Sequence, residues 1–265
     1  MAAKKKGLIM YASVTGNTEK VAKAFGKAFE NCGWTYDLVK IDKNTNFKKD
    51  PVYFDDYDFV CLGSPIMAGL PSPVIGRVLG LTQPEPPRMW RSQMGPGMDM
   101  ASPAPDDVKG VVFATYAGAI REAYSTLAVE KQYLECLRLK IVGEFSCPGG
   151  EISHMAVDRV SAIIGVQVEN AAALVQLYKQ HPDAPEFKKL DEKGHQAMRE
   201  AVADPRDMPD YDGMENFIAP KYQLETRPNE RDLTMAEYFM QNLFQDYFVG
   251  RETPQETYGE YLCIG

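Results

Sequence analysis

The sequence predicts an α/β protein whose centre is a doubly wound parallel sheet. Short apolar segments alternate with longer segments of helical spacing through residues 7–145, and this alternation builds parallel sheets. The short segments are apolar almost throughout, which is typical of strands buried on both faces. Of the 265 residues, 45% are hydrophobic and 25% are charged, an ordinary globular balance that argues against disorder.

The first helix and the first three strands are the clearest elements. Residues 7–12 are apolar and too few for a helix, so they predict a strand. Residues 17–31 carry apolar side chains at helical spacing, and Gly33 follows where a helix commonly ends in a left-handed residue. Residues 34–41 and 57–63 predict the second and third strands.

The middle of the chain alternates between irregular segments and regular elements. Residues 64–73 are rich in Pro, Gly and Ala and predict a loop, and a short helix is expected at 73–81. Residues 82–109 are dense in Pro, Met and Gly and too long for an ordinary connection, so they predict an insertion or lid. The fourth strand, a helix and the fifth strand are predicted at residues 110–115, 120–137 and 139–145.

Two further helices are predicted after the fifth strand. They occupy residues 157–179 and 187–202, and a break at 181–185 separates them. A parallel sheet of this kind needs a helix after its last strand, so one of the two must close the sheet. The sequence leaves open which of them does so.

The chain after residue 203 has a different composition, rich in Pro, Asp, Tyr and Met, with a helix at 233–247. We therefore divide the chain into a domain at 1–203 and an extension at 204–265. The extension carries many aromatic residues, in which a disordered segment would be depleted. We expect it to pack on the domain or on a partner subunit, which would make a homodimer.

Composition and charge argue against several classes of function. The formal net charge is -8, so nucleic acid and anionic membranes are unfavourable partners. No apolar run approaches the roughly 20 residues that span a bilayer, and no signal-peptide pattern is present, so we expect a cytoplasmic protein. The five cysteines are scattered and the three histidines lack ligand spacing, so neither a disulfide framework nor a metal site is indicated.

One motif carries the chemistry, and it lies between the first strand and the first helix. Its small and hydroxyl-bearing residues let the backbone turn tightly and aim successive amides at one point. Unpaired amides in the first turn of a helix, together with the helix dipole, favour a phosphate there. The motif consists of Ser13, Val14, Thr15, Gly16, Asn17 and Thr18.

The ligand of this motif is best interpreted as a single phosphate held by amides and hydroxyls without a metal. The Walker pattern Gly-x-x-x-x-Gly-Lys and the dinucleotide pattern Gly-x-Gly-x-x-Gly are both absent. The alternative is a helix that is merely well capped, because Ser, Thr and Asn are common in such turns.

Three segments in the expected order resemble the flavin-binding loops of the flavodoxin family. Ser13-x-Thr15-Gly16-Asn17-Thr18 after Leu8-Ile9-Met10-Tyr11 is similar to that family's phosphate loop. Leu62-Gly63-Ser64-Pro65 resembles the start of its second flavin loop, and Ala114-Thr115-Tyr116-Ala117-Gly118 resembles its third. The resemblance covers residues 7–145 and, more weakly, 181–202, but neither residues 82–109 nor the chain after residue 204.

The resemblance implies a flavodoxin-like five-stranded parallel sheet of order 2-1-3-4-5, with flavin mononucleotide (FMN) at the switch point between the first and third strands. Residues 13–18 would bind the ribityl phosphate. The flavin ring would be flanked on one side by Pro65, Ile66, Met67, Ala68 and Gly69, and on the other by Thr115, Tyr116, Ala117 and Gly118. The flavin would supply the redox chemistry, so no catalytic side chain is predicted.

Three hypotheses for the function remain open at this stage. The first is an electron-transfer flavoprotein that serves a redox partner protein or a small-molecule donor or acceptor. The second is an FMN-dependent oxidoreductase that takes hydride from NAD(P)H and reduces a quinone or another small acceptor. The third is a binding or scaffold module that keeps the fold without a flavin.

Overall fold

A computed structural model of the chain describes the following residues: 5–67, 69–79, 87–90, 108–117, 121–149, 154–202 and 227–249. Its strands are β1 (Lys6–Tyr11), β2 (Thr35–Lys40), β3 (Phe59–Met67), β4 (Leu70–Pro71), β5 (Lys109–Tyr116) and β6 (Lys140–Pro148). Its α-helices are α1 (Asn17–Asn31), α2 (Pro73–Leu79), α3 (Arg121–Cys136), α4 (His154–Ile164), α5 (Val168–Gln180), α6 (Glu192–Val202) and α7 (Glu230–Phe244).

The sheet has the strand order β2-β1-β3-β5-β6, and every neighbouring pair in that order is parallel. The two-residue strand β4 lies off this path and pairs antiparallel with the end of β3. Without β4, the order is the predicted 2-1-3-4-5, so the flavodoxin-like fold class is confirmed. The order reverses between β1 and β3, which is the switch point of a doubly wound sheet.

One face of the sheet is covered by α1 and α7, and aromatic rings fill the space between them. The ring centroid of Phe244 lies 4.8 Å from that of Phe29 and 5.0 Å from that of Trp34. Phe239 stacks at 6.1 Å on Phe25 of α1. These rings join the apolar side chains of β1, β3 and β5 in one continuous core, so α7 is part of the sheet's own packing.

The opposite face is covered by α2 and α3, together with a described piece of the predicted insertion. Trp90, only 2% exposed, packs edge-on against Phe54 and donates from Nε1 to the carbonyl oxygen of Leu137 at 2.8 Å. Met89 and Trp90 lie in the same apolar cluster as Ile75 of α2. Residues 87–90, together with Val108 at the other end of the predicted insertion, therefore complete the core of this face.

The prediction that a helix at 157–179 or 187–202 closes the sheet is wrong, because α7 covers the sheet instead. The helices α4, α5 and α6, which we call the three-helix unit, pack around an apolar core of their own. The members of that core are Val157, Val160, Ala171, Ala172, Val175, Tyr178, Phe187, Ala197, Met198 and Ala201.

Both predicted helices in this region are also interrupted. The first ends at Ile164, because Gly165 takes a left-handed φ of 69° and the Ser161 hydroxyl donates to the Val166 carbonyl oxygen at 2.6 Å. The second is replaced by a 3₁₀ turn at Pro185–Lys189 and by α6, whose first turn is capped by Asp191 accepting from the Gly194 amide at 2.8 Å.

Three strands are longer than predicted, and β5 exceeds its predicted bounds by one residue at each end. β3 continues through Pro65 and Ile66 to Met67, inside the segment predicted as a loop, because its end pairs with β4. β6 extends to Pro148, since it remains paired with β5 as far as Tyr116. No helix in the described parts of the chain is both long and apolar enough to cross a membrane.

Candidate functional site

The phosphate loop, residues 13–18, leaves β1 at the carboxyl edge of the sheet and enters α1. Gly16 has a left-handed φ of 88°, and its carbonyl oxygen accepts the first helical hydrogen bond, from the Lys20 amide at 3.0 Å. A Cβ at Gly16 would meet nothing within 4 Å, so the backbone angle and not the space favours glycine here. The Ser13 hydroxyl accepts from the Glu19 amide at 3.3 Å and caps the helix from outside.

The backbone amides of this loop point to no acceptor among the described residues. The amides of Asn17 and Thr18 open α1, and neither they nor the amides of residues 14–16 donate a hydrogen bond within the described part of the chain. The first turn of a helix with open amides carries partial positive charge. That this loop binds a phosphate stays a prediction.

Asn17 links the phosphate loop to the end of β6. Its Nδ2 donates to the Gly149 carbonyl oxygen at 2.7 Å and to the Thr15 hydroxyl at 3.2 Å. Its Oδ1 is buried without a partner among the described residues. Both amide hydrogens are thus used within the protein, and the oxygen is left as an acceptor for a hydroxyl donor. No pattern in the sequence indicates the Gly149 contact.

The third predicted segment reaches the phosphate loop through Thr115. The hydroxyls of Thr115 and Thr18 lie 2.8 Å apart, and both side chains are buried. Gly149 packs against Thr115 and Asn17, where a Cβ would lie 2.9 Å and 3.0 Å from their Cβ atoms. Thr115 therefore joins the phosphate loop more directly than the sequence suggested. Gly118, the last member of this segment, lies outside the described residues.

The second predicted segment lies beside the third, because Pro65 pairs with Thr115 across the sheet. Pro65, Ile66 and Met67 belong to β3 and are partly exposed. Gly69 turns the chain with a φ of 78°, and its carbonyl oxygen accepts from the Ser125 hydroxyl at 2.5 Å. Ala68 lies outside the described residues. All three predicted segments thus meet at the carboxyl edge of the sheet.

Tyr116 is buried in the structure and 7% exposed. Burial raises the pKa of its phenol to about 12, and the charges of Arg227 and Asp232 also act on it. These two residues form an ion pair at the start of α7, beside the end of β5. The sequence-based expectation that Tyr116 flanks a flavin ring stays a prediction. Ala117, which follows it, is partly exposed.

A single carboxylate lies in the first turn of α1, and cations surround it. Lys23 Nζ lies 2.7 Å from one oxygen of Glu19 and Lys40 Nζ lies 3.5 Å from the other. The hydrogen bond from Lys23 is the largest of the effects that lower the pKa of Glu19. These cations offset the negative charge that would otherwise repel an anion at the start of α1.

The described residues contain no group of three or more His, Cys, Asp or Glu side chains that could hold a metal ion. Cys147 is buried beside the site, and burial raises the pKa of its thiol well above the ordinary value. A thiol in that state is a poor nucleophile. The site therefore offers open amides and hydroxyls as its binding groups.

Comparisons with known proteins give distant structural neighbours. No protein-family model and no curated protein matches the sequence. A flavodoxin from the domain Archaea shares 12% identity over 55% of this chain and 86% of its own, with a TM-score of 0.36. A WrbA-like flavodoxin from Agrobacterium tumefaciens shares 16% over 64% of this chain and 98% of its own, with a TM-score of 0.37.

A third neighbour is the rubredoxin oxygen:oxidoreductase from Desulfovibrio gigas, at 16% identity and a TM-score of 0.38. The matched region covers 69% of this chain and 38% of that protein. Structural similarity at these levels of sequence identity is evidence about the fold alone. The fold class stands on the strand order described above.

Proposed function

We propose that this chain binds FMN at the carboxyl edge of its sheet and transfers electrons to or from a redox partner. The observation that carries the proposal is the set of open backbone amides at residues 14–18, which lead into the first turn of α1, where a phosphate is favoured. The position supports it as well, since the loop lies beside the switch point between β1 and β3.

The residues present fit the phosphate and the ribityl chain of FMN. The hydroxyls of Ser13 and Thr15 and the amides of the loop can donate to a phosphate, and Asn17 Oδ1 can accept from a sugar-alcohol hydroxyl. FMN, when bound, supplies the one- and two-electron chemistry. The protein's share is to bind the phosphate and to hold the ring between the segments 65–69 and 115–118.

Glycine at position 69 supports the proposed place of the ring. Gly69 adopts a φ of 78°, where other residues are strained, so glycine lets the chain turn sharply here. Its carbonyl oxygen is held by Ser125 at 2.5 Å. We infer that this peptide lies at the edge of the flavin ring.

The direct test is the visible absorption spectrum of the purified protein, followed by FMN titration of a Thr15→Glu variant. A carboxylate a few Å from the phosphate costs on the order of 3 kcal/mol, which is about 100-fold in affinity. Thr35→Glu, at an exposed position on the opposite edge of the sheet, is the matched control and should bind FMN as the wild type does. Equal affinity in the two variants would place the phosphate elsewhere.

A second candidate function, an FMN-dependent NAD(P)H oxidoreductase, is favoured by the three-helix unit. This unit contacts the phosphate loop through Val14 and Gln176. One side of the site is therefore formed by an additional unit that a minimal electron carrier does not need. Mixing the flavin-loaded protein with NADPH in a stopped-flow spectrometer separates the two functions: rapid bleaching indicates a reductase, and its absence a carrier. If the purified protein is colourless and takes up no FMN, the scaffold hypothesis is the one that remains.

A further inference from the structure

The three-helix unit touches the phosphate loop at two consecutive residues. Val14 packs against the apolar core of the unit. Gln176, in α5, donates from Nε2 to the carbonyl oxygen of Thr15 at 3.3 Å in a partly buried contact. The unit belongs to the chain that runs from Gly149 toward α7, and Gly149 itself accepts from the Asn17 side chain. The phosphate loop is therefore fastened to this part of the chain on two sides.

The Gln176 contact fixes the direction of one amide in the loop. In a planar trans peptide the carbonyl and the N–H of the next residue point in opposite directions. The hydrogen bond holds the Thr15 carbonyl toward α5. The N–H of Gly16 must then point away from α5. Gly16 is the residue of the loop whose left-handed backbone gives the peptide the most freedom to rotate.

We propose that the three-helix unit braces the phosphate loop, and that Gln176 is a positioning residue that makes the site selective for flavins bearing a phosphate. This inference rests on the proposed function. Without the brace the Thr15–Gly16 peptide rotates, and the Gly16 amide is turned toward the phosphate for only part of the time. A flavin that lacks the phosphate does not use this amide, so its affinity is unaffected by the change.

The test compares Gln176→Leu with the wild type in the full chain. Leucine keeps the side-chain volume but has no donor. The dissociation constants of FMN and of riboflavin are measured by quenching of flavin fluorescence. We expect FMN to bind about tenfold more weakly, the loss typical of one hydrogen bond, and riboflavin to bind unchanged. Gln180→Leu, an exposed glutamine of the same helix, is the matched control and should leave both constants unchanged.

A second measurement needs no flavin. The NMR order parameter of the Gly16 amide in the flavin-free protein should fall in Gln176→Leu and stay unchanged in Gln180→Leu. An unchanged order parameter, a wild-type affinity for FMN, or an equal loss for FMN and riboflavin would each overturn the brace. If Gln176→Leu does not fold, Gln176→Asn carries the same prediction, because its shorter amide cannot reach Thr15.

The two proposals fail in different ways. A wild-type protein that binds neither FMN nor riboflavin refutes the proposed function, whereas the order parameters still decide whether the loop is braced. A wild-type protein that binds FMN, with no difference between Gln176→Leu and Gln180→Leu, refutes the brace alone.

Discussion

Asp232 holds together the start of α7 and the chain before it. Its carboxylate accepts the Asn229 amide at 2.9 Å, while the Asn229 side chain accepts the Asp232 amide at 3.2 Å, which makes a reciprocal capping box. The same carboxylate pairs with the Arg227 guanidinium. Its side chain is 8% exposed, so the ion pair is largely shielded from water.

We expect Asp232→Ala to lower the free energy of unfolding by about 3 kcal/mol. The substitution removes the cap and leaves the Arg227 charge without its partner, and a broken buried pair costs more than an exposed one. Urea unfolding measures the change. Glu230→Ala, which removes an exposed acid from the same helical turn, should cost no more than about 0.5 kcal/mol. Equal losses in the two variants would contradict the role of Asp232.

Burial raises the pKa of three phenols, those of Tyr11, Tyr57 and Tyr116, and the first and last of them provide a test at alkaline pH. Burial raises the pKa of Tyr11 and of Tyr116 from 10.0 to about 12 each. A phenol with a raised pKa contributes stability that is complete below pH 10 and is lost as the pH rises through 12. Urea midpoints should therefore fall over this interval. Tyr11→Phe and Tyr116→Phe should each flatten the fall, and an unchanged slope in both would refute the assignment.

At the scale of elements, α7 is the helix that closes the sheet. Phe244 is buried against Phe29, Trp34 and Phe59, and these contacts are long-range. Gly143 in β6 permits the approach, since a Cβ there would lie 2.8 Å from the ring of Phe239. The helix is thus fitted to the sheet along its length.

Phe244→Ala should lower the free energy of unfolding by about 3–5 kcal/mol, because the site cannot collapse around the missing ring. Tyr238→Ala, on the same helix but 57% exposed, should change it by less than about 0.5 kcal/mol. Denaturant unfolding of both variants gives the comparison. A small loss at Phe244 would mean that α7 is only loosely attached.

The elements that could be predicted from the sequence are those governed by local signals. The helix Asn17–Asn31 was predicted with its observed bounds, because its apolar spacing lies within the helix and Gly33 follows shortly after its end. The break at Gly165 was missed, since a single glycine inside a helical pattern does not distinguish a cap from a tolerated residue. The role of α7 was missed because a partner distant in the sequence decides which helix covers a sheet.

The same distinction holds for the candidate site. The loop at residues 13–18 could be recognised as a candidate because its residues are contiguous and follow a strand, and its binding of a phosphate stays a prediction. Gln176 and Gly149 carry no local pattern that points to the loop, and only the packing of the three-helix unit and the end of β6 brings them there. Arg227 and Asp232 reach Tyr116 for the same reason.

For the whole molecule, the chain order implies that the sheet and the three-helix unit can be separated. The end of β6 lies near the start of α7, because the charges of Asp232 and Arg227 act on the Cys147 thiol, although burial is the larger cause of its raised pKa. The described chain therefore ends its last strand close to the place where it resumes at Arg227. The boundary at residue 203 stays a prediction, and α7, which belongs to the extension beyond it, packs on the sheet as expected of the extension.

We expect a variant with residues 150–226 replaced by a short Gly-Ser linker to unfold cooperatively, because both faces of the sheet stay covered. A chain truncated after residue 203 should instead lose cooperative unfolding and bind a hydrophobic dye, since Phe29, Trp34 and Phe59 lose the cover of α7. Calorimetry and dye fluorescence measure the two outcomes. A cooperative transition in the truncated chain would refute this description.

The closing position of α7 also has a consequence for synthesis on the ribosome. While the chain emerges, the apolar surfaces of α1 and of the strands on which it packs stay exposed until residue 244 has left the exit tunnel. Native contacts of such high sequence separation slow folding, and exposed apolar surface in the meantime promotes aggregation. A nascent chain stalled before α7 should therefore be bound by a chaperone, and one stalled well beyond it should be released.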